Sequence, residues 1–70
     1  MKYYLIKITE ETAQDTQVVF AYDSWISALM AFHQEIAAAM AYETVLSCLC
    51  MIVDSNGVLR TQERFDRETA

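Results

Sequence analysis

Proline is absent from this chain, and glycine occurs only once, at position 57. A phosphate-binding loop uses several glycines so that backbone can close on the anion, and a single glycine argues against nucleotide chemistry of that kind. Cations are scarce as well: five lysines and arginines stand against ten acids, a formal net charge of −5. Binding to a nucleic-acid backbone calls for clustered Lys and Arg, so no direct nucleic-acid contact is expected. There are two cysteines, Cys48 and Cys50, one residue apart in a β-like run. Side chains at i and i+2 of a strand point the same way with about 7 Å between them, an awkward span for a disulfide. They read as free thiols in a reducing compartment. No uninterrupted apolar run reaches the roughly 18 residues of a membrane span, and Lys7 breaks the N-terminal stretch before a signal-peptide core forms. The expectation is a soluble, cytoplasmic protein.

What the chain has in quantity is helix former. From Ser24 to about Tyr42 it reads S-W-I-S-A-L-M-A-F-H-Q-E-I-A-A-A-M-A-Y, without glycine or proline. Trp25, Ala28, Leu29, Phe32, Ile36, Ala39 and Met40 recur every three or four residues and form the predicted core face. A flanking line of Ile26, Met30, His33, Ala37 and Ala41 is mostly apolar too. One small sheet cannot cover so much, which points to a partner. Asp23 or Ser24 is placed to cap the first turn, while no glycine or asparagine follows Tyr42 to cap the last.

Four strands surround this helix. Lys2–Thr9 and Thr16–Tyr22 precede it, joined by the polar loop at 10–15, and Val18, Phe20 and Tyr22 should meet the helix. Thr44–Val53 is apolar in both phases, with Leu46, Cys48, Cys50 and Ile52 on one side and Val45, Leu49, Met51 and Val53 on the other. That is a strand covered on both faces. Asn56-Gly57 is a strong hairpin signal because both residues tolerate positive φ, so Val58–Phe65 turns back as a polar edge strand with Arg60, Gln62 and Arg64 towards water. The order is ββαββ, an α+β fold: a four-stranded antiparallel sheet, order 2-1-3-4, with one helix packed on one face. The alternative order is 1-2-3-4. Residues 1–65 form one domain, and 66–70 read as a disordered tail.

No constellation of residues spells out catalysis. His33, Cys48 and Cys50 are the only soft metal ligands, but a closed zinc site needs four, and paired cysteines normally stand at least two residues apart. Packed thiols and a histidine at the helix margin are expected instead, with no cofactor. Glu10, Glu11, Asp15 and Asp23 are candidates for an acidic patch at one end of the sheet, with Glu43 as an outlier. Tyr3, Leu5, Val19, Val45, Leu49, Met51 and Val53 are expected on the sheet face turned away from the helix, more apolar surface than a monomer leaves open. Ala37, Ala38 and Ala41 would let another helix approach the helix flank. Tyr3, Leu5, Val19, Leu49, Met51, Ala37, Ala38 and Ala41 are therefore the candidate interface.

The opening M-K-Y-Y-L-I-K-I-T, the central A-L-M-A-F-H-Q-E-I-A-A-A-M-A, the S-C-L-C-M-I-V-D and the N-G-V turn together resemble a group of short uncharacterised proteins encoded in phages and prophages of Gram-positive bacteria. The resemblance covers nearly the whole chain. It contains no catalytic signature, so it carries no functional residue over, although His33 falls within its F-H-Q segment. It implies a small accessory phage product acting in the bacterial host cell. The expected function is a non-enzymatic protein-protein interaction module that self-associates, a dimer being favoured, and then binds a phage or host protein. The alternative is an acidic nucleic-acid mimic that inhibits a host protein, with a small metal-binding protein behind it.

Overall fold

The computed structural model describes residues 1–67. Its elements run β1 (Tyr3–Glu11), β2 (Asp15–Tyr22), α1 (Trp25–Ala41), β3 (Val45–Asp54) and β4 (Leu59–Asp66). The strands form one antiparallel sheet in the order β2-β1-β3-β4, with α1 across one face. The two most apolar strands lie in the centre, as their composition demands. Among the described residues, no helix is long and apolar enough to cross a membrane.

Each end of α1 is closed by a different device. At the start, Ser24 is extended and its Oγ accepts the Ser27 amide at 3.2 Å, satisfying a first-turn donor that has no partner within the helix. At the far end, Tyr42 is extended and the side chain of Arg67 takes over. Its Nη2 donates to the carbonyl oxygens of Ala39, Met40 and Tyr42 at 3.3, 3.0 and 2.9 Å, and its Nε to that of Val45 at 2.9 Å. A cation at a helix C-terminus also meets the negative end of the macrodipole. The glycine cap that the sequence lacks is thus replaced from a residue 25 positions away from Tyr42. Asp66 ends β4 and Arg67 is anchored, so the tail predicted from position 66 starts too early; residues 68–70 lie outside the described residues.

Between α1 and the sheet lie Leu5, Ala28, Phe32, Ile36, Ala39, Val45, Cys48, Cys50 and Ile52, all buried, with Tyr3, Phe20, Tyr22, Trp25, Leu29 and Phe65 packed around them. This overturns the phase expected for β1. Tyr3 and Leu5 face the helix, Leu5 with no exposed surface, and Tyr4, Ile6 and Ile8 take the other side. The reason is Lys7, which shares the phase of Leu5 and places its Nζ 2.6 Å from Glu35 Oε2 of α1. Thr9, next in that phase, is also buried and donates to Cys48 Sγ at 3.9 Å.

Val45 is a second correction. The β1–β3 register shifts between Glu10 and Glu11, so Leu46 is an extra residue in β3. The shift inverts the alternation: Val45 turns into the core and Leu46 out of it. Met40, predicted to be core, is also exposed. Arg60, expected in water, lies beside a second shift between Ile52 and Val53 and reaches Asp54 at 3.4 Å and the Trp25 ring at 5.7 Å. In the β3–β4 turn only Gly57 has positive φ, at 81°. Asn56 keeps negative φ because Asp54 holds the loop instead, its Oδ1 accepting the amides of Asn56 and Val58 at 2.9 and 3.1 Å.

Candidate interaction surface

The register fixes which side chains share the face opposite α1. Reading across the sheet from β2 to β4, its rows are Asp15, Glu10, Ser47 and Asp66; Gln17, Ile8, Leu49 and Arg64; Val19, Ile6, Met51 and Gln62; and Ala21, Tyr4, Val53 and Leu59. The three lower rows form a block of nine apolar side chains centred on Ile6 and Met51. Among the described residues, no helix or loop covers it. Val19 and Leu59 at its edges are 61% and 47% exposed, while the central residues are half-buried by one another.

Polar groups mark both ends of this block. At one end Glu10 lies opposite Asp15 on one side and Ser47 on the other, with Asp66 beyond. Arg64 Nε donates to Asp66 at 3.0 Å, and the Asp66 carboxylate raises the pKa of this guanidinium above its ordinary value. At the other end Lys2 is paired with Asp23. Their hydrogen bond and mutual charge raise the pKa of Lys2 and lower that of Asp23. Asp23 is therefore at the opposite end of β2 from Asp15, and the acidic patch predicted from these carboxylates does not include it. Glu11 and Glu43 stay at the Asp15 end, where the Thr12 amide donates to the Thr44 carbonyl at 3.2 Å.

Of the candidate interface residues, Val19, Leu49 and Met51 are on the open face, and Tyr3 and Leu5 are not. Ala37 and Ala41 are exposed on the outer flank of α1, with Ile26 and Met30 also exposed, and Ala38 is half-buried. Sequence reasoning missed Tyr4, Ile6, Ile8, Ala21 and Leu59. The available signal was Lys7: once it is granted an acidic partner on the helix, its whole phase turns inward.

The thiols lie on the covered side. Cys48 and Cys50 have no exposed surface, and their Sγ atoms are 3.7 Å apart, in contact but unbonded. Burial, reinforced by the neighbouring Cys48, pushes the Cys50 thiol up to about 12, so it is neutral and poorly nucleophilic at ordinary pH. His33 is exposed on α1, with its ring 5.3 Å from that of Phe32. Among the described residues, no three His, Cys, Asp or Glu side chains are placed to hold a metal, and no pocket opens for a small ligand. No family model, curated protein or solved structure matches the chain.

Proposed function

We propose that this chain is a non-enzymatic protein-protein interaction module whose working surface is the open face of its sheet. One observation carries the reading: nine apolar side chains stand together on the side of the sheet without a helix, ringed by Gln17, Gln62, Arg64 and an acidic row. An apolar centre inside a polar rim is the anatomy of a contact surface. Self-association belongs to the same reading, since a domain of 70 residues gains stability by covering such a face. The biological setting we propose is that of an accessory phage or prophage product acting in the cytoplasm of a Gram-positive host, on the strength of the sequence pattern alone. A phage or host protein is the second partner in this scheme.

An acidic mimic of nucleic acid is less well supported. It needs free carboxylates strung along a face, and here Asp23 is tied to Lys2 and Asp66 to Arg64. Sedimentation at micromolar concentration tests the module. A species larger than the 8.0 kDa chain is expected; a monomer would remove self-association from the proposal.

A further inference from the structure

Resting on the reading above, we infer that the occupant of the open face is a second copy of this chain, stacked sheet on sheet about a two-fold axis that runs across the strands. The axis follows the row Val19, Ile6, Met51 and Gln62, so that Ile6 meets Ile6 and Met51 meets Met51 of the second copy.

Width argues for a sheet as the occupant. Four strands about 4.8 Å apart give a face about 19 Å across, and eight residues rising about 3.3 Å each make it about 26 Å long. A partner helix, about 10 Å in diameter, would cover only half of that width. A second copy matches it in size and twist, and identical twisted sheets stack with their strands about 30° apart. Such a contact covers about 500 Å² on each copy, about 1,000 Å² in all, which meets the lower limit for a specific interface.

Charge then selects the axis. A two-fold axis along the strands, between β1 and β3, would lay each acidic row on its equivalent and bring Asp15, Glu10 and Asp66 of both copies together. Like charges so placed repel, and Arg64 alone cannot offset them. The axis across the strands sends the two acidic rows to opposite ends. Ile6 lies midway between Glu10 and Lys2, which stands just before β1, so each Glu10 then faces Lys2 of the other copy, while each Asp15 faces an Asp23 whose charge Lys2 already offsets. Both helices remain on the outside, with Ile26 and Met30 of each exposed.

Cross-linking separates the two axes. The native thiols are fully buried and supply a silent background. Met51→Cys and, independently, Ile6→Cys should each be joined to their own copies by a short bismaleimide cross-linker, which spans the roughly 10 Å between stacked sheets that a disulfide cannot, at protein concentrations where the parent sediments as a dimer. If the parent is a dimer but cross-links appear only when I6C and M51C chains are mixed, the axis runs along the strands and this inference is overturned while the docking face stands. If the parent is a monomer, self-association fails and this inference fails with it. If the parent is a dimer and neither the single nor the mixed chains cross-link, the contact lies elsewhere and the open face is not the interface.

Discussion

Lys7 Nζ approaches Glu35 Oε2 to 2.6 Å, the one ion pair joining the sheet to the helix among the described residues. Burial works against the Lys7 ammonium, but the hydrogen bond and charge of Glu35 outweigh it and hold its pKa above the ordinary value. The stability it contributes is whole below pH 10.5 and is lost as pH rises through that raised value. Replacing Lys7 with Met and Glu35 with Gln, singly and together, should reveal a coupling of about 1 kcal/mol in urea denaturation. Additive effects would mean that the pair leaves the phase of β1 to packing alone.

A second alkaline effect comes from Cys50. Its thiol is held neutral up to about 12 in the folded chain but ionises near 9.0 when unfolded, so folding is favoured below pH 9.0 and weakens progressively as pH rises towards 12. Cys50→Ala should flatten that alkaline decline relative to the parent. Alkylation of the native chain at neutral pH should be negligible and should become rapid in denaturant. Fast labelling without denaturant would contradict the buried placement of both thiols.

Arg67 carries a larger share of stability than its place near the end of the chain suggests. Arg67→Ala removes a donor from three carbonyl groups at the close of α1 and from that of Val45 at the start of β3, and should cost about 2 kcal/mol, read as a lower urea midpoint with an unchanged slope. Arg67→Lys should recover only part of it, because an ammonium cannot span the same fan of acceptors. Loss of helical signal at α1 should accompany the fall.

Leu49 is the best single probe of the open face. Leu49→Glu sets a carboxylate among Ile8, Met51 and Arg64, in the middle of the proposed contact. Burying that charge should raise the dimer dissociation constant at least about a hundredfold, roughly 3 kcal/mol, while Gln34→Glu on the exposed side of α1 should leave it unchanged. Because each copy carries a net charge of −5, added salt should tighten the parent dimer by screening their repulsion. An L49E chain with the parent's oligomeric state would place the contact elsewhere.

Strand order was legible because apolar content separates β1 and β3 so clearly from β4. Faces were harder to read. In β1 both phases carry large apolar side chains, and the tie was broken by Glu35, 28 positions away, which sequence periodicity cannot see. In β3 the alternation was read without the extra residue at Leu46, so everything before it was turned over. The cap of α1 was invisible for a similar reason: Arg67 looks like any polar residue near a chain end until the sheet brings it beside Tyr42. Leu49 and Met51 were placed correctly because they lie after the bulge, in an uninterrupted stretch of β3.

The pairing of β1 with β3 also dictates the order in which this molecule can be assembled. Each hairpin is local, but the seam between them sets Ile8 against Leu49 and closes only after the helix has been made. During synthesis the first hairpin and the apolar helix emerge with no third strand to cover the shared core. Neither half has a hydrophobic interior of its own, since Leu5 comes from one, Cys48, Cys50 and Ile52 from the other, and Phe32 and Ile36 from the segment between. Folding should therefore be a single late event, governed by how quickly two preformed hairpins find their register, and nascent chains waiting for β3 are the stage at which this protein is most exposed to aggregation.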